Sequence, residues 1–222
     1  MSAPGTLRID AIVDDRERPV LESVGAQLGS RLAAATGARW PVEIRFRESF
    51  ADLVSDDWPT VVVASALPDL RGHEPIPELQ TRWVQRLRSL GGDPRPPVLL
   101  CTIFRHVSEA PGDGERDPRP ALRERIRHLN LMVVDLSHDT GAGVVDFDRV
   151  FSQLGGSTIG TDYRLRGKWA AELGAHAIVS TLLGTTLEDS IDAAILERAQ
   201  QAHGTLRDRL AGLQSLGAGT PE

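Results

Sequence analysis

The chain has 222 residues, 25 Lys+Arg against 31 Asp+Glu and a net charge of −6. At roughly 100–200 residues per domain it holds one domain with room for an appendage, and it is long enough to bury a core without metals or disulfides. The acidic balance, with no outweighing basic stripe, argues against a nucleic-acid binder, and a lone Cys101 excludes an intramolecular disulfide or a cysteine-clustered zinc site.

The first predicted strand is Leu7–Val13, stopped by Asp14-Asp15-Arg16-Glu17-Arg18. Pro19 suits a first helical turn, and Val20, Leu21, Val24, Leu28, Leu32 and Ala35 recur at helical spacing up to Gly37. A strand follows over Val42–Phe46, and Ser49 caps a short helix through Leu53. Thr60–Ala64 is an unbroken apolar run, as a strand buried on both faces requires. A polar loop after Leu67-Pro68-Asp69 leads to an amphipathic helix from Ile76 to Leu90. Pro97–Phe104 reads as another buried strand, and Val107–Pro120 as a long surface loop, a length that tends to carry function or disorder. Ala121 opens a helix with Leu122, Ile126, Leu129, Met132, Val133 and Leu136 on one face. Val144–Phe147 is the last strand, Gly155-Gly156-Ser157 a loop, and Trp169–Leu183 a helix. Thr186–Leu216 is helical in pattern with a break at Gly204, and the last six residues form a frayed tail.

Alternating strands and helices imply a parallel sheet with helices on both faces. Five strands fit the order 2-1-3-4-5, a three-layer α/β sandwich over residues 1–184 with a helical C-terminal extension over 185–222. No apolar run approaches the ~20 residues of a membrane span. The start, Met-Ser-Ala-Pro-Gly-Thr, lacks the charge and apolar stretch of a secretory signal, so the expected location is cytoplasmic. In such sheets ligands sit beyond the carboxyl ends of the strands. That rule selects Asp14, Asp15 and Arg16 after the first strand, Ser65 after the third, and Arg105 and His106 after the fourth. Asp162, Tyr163 and Arg164 can swing to the same edge. Only one of the 25 basic residues, Lys168, is lysine, so guanidinium is the cation available to any anion.

The layout resembles the SGNH (GDSL-type) hydrolase superfamily over roughly Leu7 to Leu183. The resemblance rests on Pro97–Phe104, the helix carrying His128-Leu129-Asn130, the strand Val144-Val145-Asp146, and Asp162 followed by a helix holding Ala175-His176-Ala177-Ile178. It implies a hydrolase fold, with departures at each block that carries the chemistry. Where the family's first strand ends in Gly-Asp-Ser, this chain has Asp14-Asp15-Arg16. The Gly-x-Asn-Asp block becomes Ala64-Ser65-Ala66-Leu67, and the late Asp-x-x-His becomes Asp162-Tyr163-Arg164-Leu165. Serine ester cleavage needs a hydroxyl near a base and donors aimed at the oxyanion. Arg16 is no nucleophile, and Leu165 takes no proton.

Two constellations remain. A rebuilt set would use Ser65 as nucleophile, His106 as general acid or base and Asp162 or Asp15 to orient it. A clamp would use Arg16, Arg105 and Arg164, with Asp14 and Tyr163 beside them, to hold a carboxylate or phosphate. Asp14, Asp15 and Asp162 have oxygen-ligand chemistry, but adjacent carboxylates on a turn point apart, so neither metal nor cofactor is expected. The leading expectation is a divergent enzyme acting on an acyl, ester or other anionic small molecule. The alternative is a catalytically silent relative that binds a ligand or partner. For the C-terminal helices, packing onto their own domain competes evenly with a homodimer contact.

Overall fold

The computed structural model describes residues 5–53, 58–91, 95–108, 119–155 and 159–217. Five parallel strands, β1 (Leu7–Ile12), β2 (Val42–Phe46), β3 (Val61–Ser65), β4 (Val98–Cys101) and β5 (Gly143–Val145), lie in the order β2-β1-β3-β4-β5. The helices are α1 (Arg18–Thr36), α2 (Ile76–Ser89), α3 (Arg119–Thr140), α4 (Phe147–Leu154), α5 (Lys168–Thr181), α6 (Ala193–His203) and α7 (Leu206–Gly217). This is the three-layer α/β sandwich the alternation predicts.

Two cores follow from the two-residue period of the strands. Leu7, Ile9, Ala11, Val61, Val63, Leu99 and Cys101 face the layer of α1, α4, α5, α6 and α7. Val62, Ala64, Val98 and Leu100 face α2 and α3, with Leu79, Trp83, Ile126 and Leu129. Residues buried on both sides explain why these strands read as continuous apolar runs. Asp10 is the exception, fully buried in β1. It is held by Arg45 of β2, the edge strand, at 2.5 Å and by Arg47 just past that strand at 3.1 Å.

Several boundaries differ from the sequence expectation. β4 ends at Cys101 rather than Phe104, because the Asn130 side chain takes over both backbone groups of Ile103. Its Oδ1 accepts from the Ile103 N–H and its Nδ2 donates to the Ile103 carbonyl, each at 2.7 Å. β5 stops at Val145 and an unanticipated helix, α4, begins at Phe147. Asp146 caps it by accepting from the Arg149 N–H at 3.0 Å. A 3₁₀ turn over Leu67–Arg71 leads into the polar loop expected before α2. Most of the loop Val107–Pro120, part of the Gly155-Gly156-Ser157 turn and the final five residues lie outside the described residues.

The C-terminal helices pack back on the domain: α6 against α1 and α7 against α5, burying Leu196, Ala199 and Leu213. A π-helical turn over Leu182–Thr186 leads out of α5, and Gly204 breaks α6 from α7 with φ +71°, a conformation open to glycine. No helix among the described residues is long and apolar enough to cross a membrane.

Candidate functional site

The turn after β1 is a capping box. The Asp14 carboxylate accepts from the Arg16 N–H at 3.1 Å, and Glu17 Oε2 accepts from the Asp14 N–H at 3.0 Å. Asp14 also binds Arg16 at 3.6 Å and Arg71 at 3.0 Å, whereas Asp15 is 88% exposed and pairs with Arg18 at 2.9 Å. The turn therefore serves its own backbone first.

Ser65, at the end of β3, is buried. Its hydroxyl donates to Glu17 Oε1 at 2.8 Å and accepts from the Leu67 N–H at 3.1 Å. Glu17 is itself buried. Burial pushes its carboxyl up to about 7, against the lowering effect of the Ser65 and Asp14 hydrogen bonds. Burial, joined by the charge of Glu17, also raises the thiol of Cys101, the β4 partner of Ser65 in register. No hydrogen bond joins Ser65 to His106.

The second group gathers at the ends of β4 and the turn before α5. Asp162 is buried and accepts from the Ser108 hydroxyl at 2.7 Å, from the Arg164 N–H at 3.0 Å and from the Arg164 guanidinium. Burial alone would raise this carboxyl, but the bonds from Arg164 and Ser108 outweigh it and bring it down to about 2. Arg164 also donates to the Ser108 hydroxyl at 3.1 Å, and its guanidinium lies 5.3 Å from the Tyr163 ring centroid. The Tyr163 N–H donates to the His106 carbonyl at 2.8 Å, which ties the two loops together. Leu165 closes the turn through its N–H to the Asp162 carbonyl at 2.9 Å. Buried, with φ +49°, it is the only described non-glycine residue in left-handed backbone. That conformation costs about 1–2 kcal/mol, which the apolar anchor of the turn offsets.

These loops border a cleft of about 300 Å³ lined by His106, Ser108, Thr161, Asp162, Arg164 and Arg166. His106 is exposed, its ring 5.8 Å from Phe104. It also lines an adjoining cleft of about 760 Å³ with Arg105, Arg123, Glu124 and Arg127. Arg105 is fixed by Asp148 through its backbone N–H at 2.9 Å and its Nε at 2.5 Å. Of the residues selected from sequence, His106, Asp162 and Arg164 thus share one cleft, with Tyr163 bonded behind it and Arg105 in the next. Asp14, Asp15, Arg16 and Ser65 line neither. Sequence reasoning missed Ser108, Arg166 and Arg123. It also missed Glu17, for which Asp14-x-x-Glu17 was a legible capping signal. Among the described residues no cluster of three or more His, Cys, Asp or Glu could hold a metal. A further cleft of about 690 Å³, bordered by Trp58, Arg95 and Asp189, opens where β3, β4 and β5 begin. That is the end of the sheet that ligands of such folds avoid.

The sheet order and helix layers define a three-layer α/β sandwich around a five-stranded parallel sheet. No protein-family model matches the sequence, and no curated protein does. Among solved structures, the chain is similar to the lipase/acylhydrolase from Enterococcus faecalis, with a TM-score of 0.56 at 15% identity over 79% of this chain and 95% of that one. It is similar to the acetyl xylan esterase AlAXEase, with a TM-score of 0.55 at 14% identity over 79% and 100%. It is also similar to an alpha/beta hydrolase enzyme from the metagenome of Lake Arreo, Spain, with a TM-score of 0.50 at 16% identity over 83% and 96%. What the chain shares with these three structures is the fold, a five-stranded parallel sheet between layers of helices.

Proposed function

We propose that this chain is a divergent SGNH-like protein that binds an anionic small molecule around His106, with binding rather than serine hydrolysis as its main task. The observation that carries this reading is the charge of the two clefts that His106 joins. Arg105, Arg123, Arg127, Arg164 and Arg166 line them against Glu124 and Asp162, with Asp148 paired to Arg105 at the border, in a chain of net charge −6. Arg164 is pre-oriented by Asp162, so little side-chain freedom is lost when it meets a carboxylate or phosphate. Neither nearby hydroxyl is primed for attack. Ser65 is buried and lines neither cleft, and Ser108 donates its hydrogen bond to a carboxylate too acidic to act as a base at neutral pH.

A second reading keeps the hydrolase. Ser108 and His106 line the same cleft, and a rotation of the Ser108 hydroxyl toward an imidazole would create a serine–base pair on acyl or ester substrates. Self-association through α6 and α7 would have to use their outward faces, since their apolar stripe is occupied by α1 and α5. Calorimetric titration with inorganic phosphate and succinate tests the first reading. The expected result is saturable binding that weakens at least tenfold in Arg166→Gln. Binding unchanged in that variant, or absent from the unaltered chain, would reject it. An ester and thioester panel tests the second: turnover lost in both His106→Ala and Ser108→Ala supports hydrolysis, and no turnover in the unaltered chain removes it.

A further inference from the structure

We infer that the stacked imidazoles of His176 on α5 and His203 on α6 form an acid-sensitive latch, whose protonation releases α6 and α7 from the domain. The rings lie 3.8 Å apart between centroids and are inclined by only 17°. Both residues are buried, 2% and 7% exposed. His203 Nε2 sits 3.1 Å from the His176 carbonyl. A carbonyl only accepts, so that nitrogen carries the proton and Nδ1 of a neutral His203 is a bare acceptor. The Nδ1 atoms of both rings are buried without a partner.

Charges reach this stack from every side. Arg31 approaches from α1, and Arg209 from α7. Asp208 of α7 opposes them weakly from the solvent, its carboxylate taken by Thr205. Glu172 of α5 is already bonded to Gln27 and Arg209. Arg198 of α6 donates to the Ala35 carbonyl, and Asp146 and Arg149 border the cavity of about 350 Å³ that His176 lines. An imidazolium here would meet two guanidinium groups, a second ring and no free carboxylate within the packed joint.

The joint is already short of polar partners. Seven buried side-chain atoms among the described residues lack a hydrogen bond, and five belong to it: Gln27 Oε1, Arg31 Nε, Arg209 Nε and the two histidine Nδ1 atoms. Each such group weakens the docked state. Docking rests on the apolar contacts of Leu196, Ala199 and Leu213 and on the bonds that Arg198, Gln200, His203 and Arg209 make to the domain.

The direction in pH follows. Burial, then the charges of His203, Arg209 and Arg31, push His176 from an ordinary 6.5 down to about 3; burial lowers His203 as well. Below pH 6.5 the released form takes up protons that the docked form refuses, so release becomes easier as the pH falls toward 3. At pH 5.0 the release equilibrium rises about 30-fold for His176 alone, relative to pH 7.5.

Hydrogen exchange on the full chain at pH 7.5 and 5.0, corrected for the intrinsic rates, tests the latch. The expected result is a roughly 30-fold or greater loss of protection confined to α6 and α7, with β1, β3 and β4 unchanged. His203→Phe and His176→Phe keep an aromatic stack without a titrating nitrogen, and the double variant should lose the acid response. Equal protection at both pH values overturns the latch, as does acceleration spread evenly through the sheet or an acid response that survives in the double variant. Should that variant fail to fold, NMR titration of the imidazole C–H signals in the native chain decides: a His176 midpoint near 6.5 overturns it, and one well below 5 upholds it.

Discussion

Two serine–carboxylate pairs stand at the carboxyl edge of this sheet, and their environments give them opposite characters. Ser65 donates to Glu17 at 2.8 Å and Ser108 donates to Asp162 at 2.7 Å. Glu17 has no guanidinium in contact, so burial governs and its carboxyl rises to about 7. Asp162 is little exposed but borders a cleft, and Arg164 grips it so that its carboxyl falls to about 2. One pair is a closed peg between the β1 turn and β3; the other borders a cleft. The hydroxyl–carboxylate contact alone specifies neither role. The counter-charge and the access of water do.

The sharpest way to break this comparison is Glu17→Gln. With its carboxyl raised from 4.5 to about 7, native Glu17 holds its proton where unfolded Glu17 has lost it, so stability drains away as pH rises from 4.5 to 7. Ionised Glu17 then costs the native state about 3 kcal/mol above pH 7. Urea unfolding across pH 5–8 should show Glu17→Gln gaining steadily on the unaltered chain; parallel curves would mean that Glu17 is ionised at little cost. The opposite test is Arg164→Met, which leaves Asp162 buried with no cation. A loss of about 2–3 kcal/mol at pH 7 is expected, larger than for Asp162→Asn, because Arg164 alone remains partly in water. The acid limb should also change. In the unaltered chain Asp162 contributes stability above pH 3.8 that disappears as pH falls toward 2, and in Arg164→Met that limb should flatten or reverse.

The fold was legible in the sequence to the extent that periodicity carried it. The apolar runs of β1, β3 and β4 and the helical stripe of Val20, Val24, Leu28 and Leu32 correspond to buried positions because the same residues must meet a core on each side. What side chains did to the backbone was not legible. Asn130 ends β4 from 27 residues away, and Asp146 starts α4 where an apolar residue invited a longer strand. The same limit governed the candidate site. Position after a strand selected His106, Asp162 and Arg164, which do share a cleft. It selected Ser65 as well, though a sequence rule about strand ends says nothing of which hydroxyl faces water. Ser108 was hidden in a polar loop whose pairing with Asp162 spans 54 positions.

Ser65→Ala sharpens the comparison from the closed side. It removes one donor from Glu17 and the acceptor of the Leu67 N–H, both buried, so a loss of about 1–2 kcal/mol is expected at neutral pH. The loss should shrink when Glu17 is protonated, since a neutral carboxyl depends less on the missing donor; urea midpoints at pH 5 and 8 measure the difference. Phosphate binding should not change, because Ser65 lines neither cleft that His106 joins. Asp15→Ala gives the smallest effect of all, a midpoint shift within error, because its ion pair with Arg18 is open to solvent on both sides. A measurable loss of ligand binding in Asp15→Ala or Ser65→Ala would extend the working edge across to β1 and erase the division between the closed pair and the open one.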